Sequence, residues 1–161
     1  MTVEEYNHCV EDHSDGLYRF ILKNIKDTEK AADIVQDSFE KLWRKVKEVS
    51  YSKSKSYLFS TAYHTMIDGI RKDRRMEDFS QATATKHSHE IQYSDLQEIL
   101  HTALDRLPEI QRTVILLRDY EGYSYTEIGE ITGLSESQVK VYIYRGRVFL
   151  KEYIGSLQAV I

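Results

Sequence analysis

The sequence predicts an all-α protein built from two small helical modules joined by a linker. Apolar residues recur at spacings of three and four along most of the chain, and no stretch alternates as a strand would. Residues 76–93 carry no such stripe and are polar and small, which is typical of a linker. At 161 residues there is room for one domain or two small ones. We therefore divide the chain into residues 1–75, 76–93 and 94–161.

The first module is predicted to contain three helices. The first runs from about Val3 to Ile25, with an interruption near Asp15–Gly16 left open. A second helix restarts at Asp27–Glu29, where acidic residues suit the first turn. Residues 50–56 alternate serine with tyrosine and lysine and predict a polar loop before a third helix over about 57–75. The apolar stripes are Val35, Phe39, Leu42, Val46 and Val49 on the second helix, and Leu58, Ala62, Met66 and Ile70 on the third.

The second module is predicted to contain four helices. Its first helix starts at a capping box, Ser94 with Gln97, and ends near Arg106. The next helix has Pro108 at its tolerated first position and ends at Gly122. The apolar face of that helix comprises Ile110, Val114 and Leu117.

The last two helices read as a helix-turn-helix. Capping boxes at Ser124 with Glu127 and at Ser135 with Gln138 start the two helices, and Gly133 ends the first. Gly129 is expected to let them approach closely. The apolar positions between them are Ile128, Ile131, Leu134, Val139 and Ile143. In such motifs the second helix enters a major groove of DNA.

A basic second helix favours double-stranded DNA as the partner, although helix pairs of this kind also occur in proteins that never touch DNA. Residues 134–151 contain four cations and one anion, a net charge of +3. We expect Lys140, Val141 and Tyr144 to contact base edges. We expect Ser137, Arg145 and Arg147 to contact phosphates, with a surface role for Arg147 as the alternative.

The charge is distributed unevenly. The net charge is −4, but residues 41–55 contain six cations and one anion, whereas residues 1–15 contain five acids and neither lysine nor arginine. Such a chain can bind DNA through its basic surfaces although its net charge is negative.

Several classes of protein are disfavoured. No run approaches the roughly 20 apolar residues of a membrane span, the N-terminus lacks a signal-peptide pattern, and the single Cys9 cannot form an internal disulfide. We therefore expect a cytoplasmic protein without membrane insertion. The sequence shows no catalytic constellation, so we expect neither an enzyme nor a cofactor. The pairs Cys9–His13 and His87–His89 offer too few ligands for a zinc site.

Three stretches together resemble a bacterial extracytoplasmic-function (ECF) sigma factor of the sigma-70 family. Residues 32–43 contain the string Val-Gln-Asp-x-Phe-x-x-Leu-Trp and resemble the helix of region 2 that docks on RNA polymerase. Residues 57–72 are similar to the region that melts and reads the downstream promoter element. Residues 107–147 resemble region 4, which reads the upstream element as duplex. The resemblance implies promoter-specific transcription initiation.

The resemblance also implies partners and site residues. Core RNA polymerase, through the clamp helices of its largest subunit, would dock on the polar faces of the second helix, which otherwise would be a solvated surface. The predicted contact residues are Asp33, Gln36, Asp37, Glu40, Lys41 and Arg44. A further expected partner is an anti-sigma factor that covers both modules.

The downstream promoter element would be read as single strand, with the flipped base held by the segment 50–56. Cations along the phosphates and aromatic or polar groups around the base are the required chemistry. For Tyr57 and Tyr63 a core position is the alternative, and Asp68 is expected to pair with Arg71 or Lys72. The predicted residues are Tyr51, Lys53, Lys55, Tyr57, Tyr63, His64, Arg71, Lys72, Arg74 and Arg75.

Three positions depart from the family pattern: His64 where asparagine is common, and Gly129 and Gly146 where alanine is common. The two glycines predict slightly looser helices, because each glycine costs up to about 1 kcal/mol of helix stability relative to alanine. Two rival functions remain. A stand-alone helix-turn-helix regulator would not need the polymerase-docking motif at residues 35–43. A sigma-sequestering adaptor would not need a cationic recognition helix.

Overall fold

The described part of this computed structural model is helical, which confirms the predicted fold class. It covers the backbone of residues 1–80 and 95–158 and the side chains of residues 1–76 and 96–156. The first module holds α1, α2 and α3, and the second holds α4 to α7 with a π-helical turn. The bounds are α1 Val3–Ile25, α2 Thr28–Arg44, α3 Tyr51–Ser80, α4 Asp95–Arg106, α5 Glu109–Ile115, the π-helical turn Leu116–Tyr120, α6 Tyr125–Thr132 and α7 Glu136–Gln158.

Local capping defines the first two helices. Thr2 accepts a hydrogen bond from the backbone amide of Glu5, and the Glu5 carboxylate accepts one from the amide of Thr2. α1 then continues without a break through Asp15–Gly16 to Ile25, and the C-cap residue Lys26 has a φ of 57°. The Asp27 side chain caps α2 by accepting from the amide of Lys30.

The predicted polar loop at residues 50–56 is wrong, because α3 begins at Tyr51. Ser54 shows why this serine-rich segment can be helical. Its hydroxyl donates to the carbonyl of Tyr51 at 2.6 Å and accepts from the Cys9 thiol at 3.0 Å. The side chain is therefore satisfied while buried beneath α1. Ser50 and Ser52 face solvent. The segment is therefore polar because the first turn of α3 is exposed, and not because it forms a loop.

The predicted start of the linker at residue 76 is also wrong, because α3 continues to Ser80. The rest of the linker, together with the predicted capping residue Ser94, lies outside the described residues. α4 ends at Arg106 as expected. Pro108 occupies the N-cap position of α5, one residue before its predicted place. A hydrogen bond from Arg118 to the carbonyl of Tyr123, at 2.9 Å, helps hold the turn after the π-helical segment.

The two modules share one hydrophobic core. α1, α2 and α3 pack on one another, while α7 packs against α4, α5 and α6. The two groups meet where α3 contacts α6 and α1 contacts α5. The aromatic rings of Phe20, Phe59 and Tyr123 connect them, with ring centres 5.7 and 5.1 Å apart. The described structure is therefore closed, with a continuous apolar interior.

The close approach predicted at Gly129 is confirmed, and Gly146 lies at a second close approach. A Cβ at Gly129 would lie 2.8 Å from the backbone oxygen of Leu134, inside the helix-turn-helix. A Cβ at Gly146 would meet Cδ1 of Ile115, where α7 crosses α5. Alanine at position 129 would clash with backbone, and alanine at position 146 would require the Ile115 side chain to shift, so glycine permits tight packing at both positions.

Candidate nucleic-acid and polymerase interfaces

The helix-turn-helix is built as its capping signals predict. Ser124 and Glu127 form a complete capping box, and Gly133 ends α6 with a φ of 79°. Ser135 and Gln138 exchange backbone-to-side-chain hydrogen bonds of 2.9 and 3.2 Å at the start of α7. The side chains that hold α6 against α7 are buried or partly buried: Ile128, Ile131, Leu134, Val139 and Ile143.

One face of α7 is exposed and carries the predicted base-contacting residues. Tyr144 is 70% exposed and Val141 is 44% exposed, which is high for apolar side chains on a packed helix. Lys140 is exposed, with its ammonium 3.3 Å from the Glu136 carboxylate. Ser137 and Arg145 are exposed beside them. The arrangement offers cationic, aromatic and apolar groups together, which is the chemistry that base edges require.

Arg147 differs from the other cations of α7. Its guanidinium donates two hydrogen bonds to the Asp119 carboxylate, at 2.5 and 3.3 Å. These bonds raise the pKa of Arg147 and tie α7 to the π-helical turn. This pairing supports the alternative surface role for Arg147.

The polar face of α2 is exposed beside a shallow groove of about 270 Å³. Asp33, Ile34, Gln36, Asp37, Glu40 and Thr65 line this groove. Lys41 pairs with Asp37 at 3.4 Å, and Arg44 is exposed one turn further on. The structure thus brings four of the six predicted polymerase-contacting residues around one groove.

Trp43 is a surface residue that the prediction omitted. It is 47% exposed and packs edge-on against Tyr6, with ring centres 4.9 Å apart. The Tyr6 hydroxyl donates to the carbonyl of Phe39 at 3.0 Å and fixes that ring. The signal was present, because Trp43 lies outside the apolar stripe of α2. A large exposed aromatic side chain next to a polar groove is typical of protein interfaces.

A cleft of about 600 Å³ lies along the start of α3. It brings together Lys53, Tyr57 and His64 from the predicted set. The other lining residues are Glu48, Val49, Ser50, Ser56, Ser60, Thr61 and, from the second module, Glu130. Sequence reasoning missed Ser60 and Thr61, although their spacing of three and four from Tyr57 places them on its helix face.

The remaining predicted residues of this region occupy different places. Tyr63 is 8% exposed and packs edge-on against His64, and its burial raises its pKa. We therefore favour the core alternative for Tyr63. Tyr51 is exposed. The ammonium of Lys55 lies 4.2 Å from the ring centre of Tyr123 in the second module.

The basic end of α3 is exposed at Arg71, Lys72, Arg74 and Arg75. The expected ion pair of Asp68 with Arg71 or Lys72 is wrong for the described side chains, where Asp68 forms no salt bridge. Within the same residues no group of three potential metal ligands occurs. His87 and His89 lie outside them. None of the described helices combines the length and apolarity needed to span a bilayer.

Comparisons with known proteins match both modules. Residues 9–76 match the family model for sigma-70 region 2, and residues 97–150 match that for sigma-70 region 4. The chain is 34% identical to the RNA polymerase sigma factor SigV of Bacillus subtilis, over 85% of this chain and 83% of SigV. It is 26% identical to the ECF sigma factor SigM of the same organism, over 94% of each chain.

The fold is also similar to a solved structure, that of the sigma factor RpoE in complex with the anti-sigma factor NepR from Bartonella quintana. The TM-score is 0.79 at 26% identity, over 95% of this chain and 98% of that one. The chain therefore belongs to the sigma-70 family of RNA polymerase sigma factors, in the ECF group. Its class of function is promoter-specific transcription initiation.

Proposed function

We propose that this sigma factor works through three surfaces: the α2 groove on core RNA polymerase, the exposed face of α7 on duplex DNA, and the α3 cleft on a melted strand. One observation carries the proposal. The chain presents an open recognition helix and, at a second place, a cleft lined by Lys53, Tyr57 and His64. A stand-alone helix-turn-helix regulator needs only the first surface.

Docking on polymerase follows from the chemistry of α2. Three acidic side chains line the groove and Lys41 pairs with one of them, so charge pairs can set the register of a partner helix. The exposed ring of Trp43 adds apolar contact at the edge. The proposed partner element is the clamp helices of the largest polymerase subunit.

Upstream reading is assigned to the first turns of α7. Lys140 can donate to guanine acceptors, while Val141 and Tyr144 can contact thymine methyl groups. Ser137 and Arg145, which are both exposed, are assigned to phosphate contact. Arg147 orients α7 through Asp119.

Downstream reading is assigned to the α3 cleft. Tyr51 and Tyr57 provide aromatic surface, His64 and Lys53 provide polar contacts, and the exposed cations at residues 71–75 follow the phosphates. Contacts to unstacked bases offset a melting cost of a few kcal/mol per flipped base. The protein supplies binding energy and no nucleotide chemistry, consistent with an initiation factor acting in the cytoplasm.

An anti-sigma factor is the proposed regulator. The structural relative from Bartonella quintana was solved with such a partner. The exposed apolar side chains on α7 and the groove on α2 are the surfaces that such a partner would cover to block DNA and polymerase.

Run-off transcription with purified core polymerase tests the proposal. We expect promoter-specific transcripts from a genomic promoter library only when the protein is added. A matched chain with Asp33, Asp37 and Glu40 changed to lysine should lose the transcripts and still fold, as judged by circular dichroism. Absence of any protein-dependent transcript would refute the proposed function, and tight binding to a palindrome without polymerase would favour the regulator.

A further inference from the structure

A cavity of about 380 Å³ lies among the end of α1, the start of α2, the second half of α3 and the start of α5. This volume is within the range of pockets that hold small molecules. At Gly69, which also lines the cavity, an added Cβ would meet nothing within 4 Å, so there is open space beside α3. One wall is apolar and consists of Ile25, Ile34, Met66 and Ile70. The cavity can therefore hold the apolar part of a small ligand.

The charged residues around the cavity leave two arginines with a single acid between them. Three cations and three acids line the cavity. The Lys30 ammonium pairs with the Asp73 carboxylate at 3.1 Å. The Asp27 side chain accepts a hydrogen bond from the backbone amide of Lys30, at the positive end of α2. The charged groups that remain are Arg74, Glu109 and Arg112.

Arg112 is a partly buried cation whose charge is incompletely matched. Its Nε donates to the side-chain oxygen of Asn24 at 3.1 Å, and the Asn24 amide in turn donates to the carbonyl of Phe20. Among the described residues the Arg112 guanidinium forms no salt bridge. Burial lowers the pKa of Arg112, Glu109 opposes this shift, and repulsion from Arg74 adds to it. A bound anion would offset both burial and repulsion.

We propose that this cavity binds a small organic carboxylate, with Arg112 holding the carboxylate group and the apolar wall holding the rest of the ligand. A guanidinium binds a carboxylate through two parallel hydrogen bonds, which fixes the orientation of the ligand. A monoanion suits the site, because a phosphate dianion would be repelled more strongly by Glu109. A neutral ligand of the same shape would leave the charge of Arg112 unmatched.

The carboxylate site is distinct from the surfaces assigned to polymerase and DNA. It has no lining residue in common with the α3 cleft. It shares Ile34 with the α2 groove, and it shares Arg74 with the cations assigned to phosphates. Arg112 itself has no assigned role in docking or promoter reading. The inference therefore goes beyond the proposed function and does not depend on it.

Methyl NMR of the full chain measures binding at the cavity. The methionine methyl groups are labelled with carbon-13. Met66 is 1% exposed and lines the cavity, whereas Met76 is 62% exposed and does not line it. The probe is sodium octanoate, with octan-1-ol and octylammonium chloride as neutral and cationic comparisons. We expect octanoate to shift the Met66 signal saturably while the Met76 signal stays in place, and both comparison compounds to bind at least about tenfold more weakly.

Two substitutions test the charge and the space separately. Arg112→Gln should weaken octanoate binding about tenfold, because it removes the charge-assisted hydrogen bonds. Arg106→Gln on exposed α4 is its charge-matched control and should bind like wild type. Gly69→Leu should fill part of the cavity and abolish the Met66 response. Its control is Gly155→Leu in α7, where an added Cβ also meets nothing within 4 Å. Circular dichroism checks the folding of each variant.

The outcomes distinguish a carboxylate site from an ordinary surface crevice. A Met66 signal that does not respond to octanoate would overturn the proposal, and so would equal binding of octan-1-ol. A common shift of all methionine signals would show nonspecific binding of the alkyl chain and would also overturn it. Equal weakening by Arg106→Gln and Arg112→Gln would assign the effect to overall charge. Run-off transcription tests the proposed function separately, whichever result octanoate gives.

Discussion

The two surfaces that we assign to promoter DNA are made in different ways. The face of α7 is fully formed within the second module, and its side chains are open to solvent. The surface at the start of α3 is assembled from the turn after α2, the first turns of α3 and one residue of α6, and part of it is covered. The first depends on contacts within the second module, and the second on contacts between the two modules.

This difference concerns what each surface depends on. The face of α7 is present whenever the second module is folded. The lining of the α3 cleft also depends on how the two modules pack, because it includes Glu130 of α6.

Replacing Lys140 and Tyr144 by alanine should remove upstream selection while leaving the first module intact. Two base contacts at about 1–3 kcal/mol each should weaken binding to the upstream element by about 30-fold or more. Run-off transcription and footprinting measure the effect. Capture of core polymerase serves as the control and should not change. Loss of polymerase capture as well would contradict the division of labour between the modules.

Gly129→Ala should destabilise the helix-turn-helix, because its Cβ would meet the backbone oxygen of Leu134. We expect a loss of about 1–3 kcal/mol in the free energy of unfolding. The matched control is Gly69→Ala in α3, where nothing lies within 4 Å. There, helix propensity predicts a gain of about 0.5–1 kcal/mol. Chemical denaturation measures both, and equal effects would refute the close approach.

Asp37→Lys should weaken polymerase capture several-fold, because it removes a charge from the α2 groove and repels Lys41. Titration of labelled core polymerase at two salt concentrations measures the change, which should shrink at high salt. Glu11→Lys on exposed α1 is the charge-matched control. An affinity equal to that of the control would remove α2 as the docking face.

His13 should make stability sensitive to mild acid. It lines the cavity between the modules with Lys55 and Glu121. Burial, followed by repulsion from Lys55, lowers the pKa of His13 from its ordinary value of 6.5. As pH falls below 6.5, the unfolded chain takes up this proton first, so stability decreases until the lowered pKa is passed and is unaffected above 6.5.

Denaturation at pH 7.5 and 5.5 measures this effect in the wild type and in His13→Gln. The variant should lose less stability on acidification, with the similarly shifted His101 present in both chains as background. An identical loss in both would show that the cavity around His13 does not disfavour its charged form.

The fold class could be predicted from the sequence because helix-capping residues and apolar periodicity are local signals. Ser124 with Glu127, Gly133, and Ser135 with Gln138 all act within four residues, and their predicted roles are confirmed. The buried side of α7 was predicted for the same reason. The assignments to base or phosphate contact remain predictions.

Two features that sequence reasoning missed depend on distant residues. Serine-rich composition suggested a loop at residues 50–56, but Cys9 buries Ser54 and the segment is helical. Gly146 looked costly within its own helix until Ile115 of α5 was seen against it.

The sequence by itself determined the helices, the helix-turn-helix and the family, because capping, periodicity and motif spacing are local properties. Only the tertiary structure decided which functional side chains are accessible. Lys55 and Lys53 are two residues apart and chemically alike, yet one lies beneath Tyr123 and the other lines the open cleft. The exposure of each lysine depends on where the second module packs against the first. The residues next to Lys53 and Lys55 in the sequence do not determine that packing.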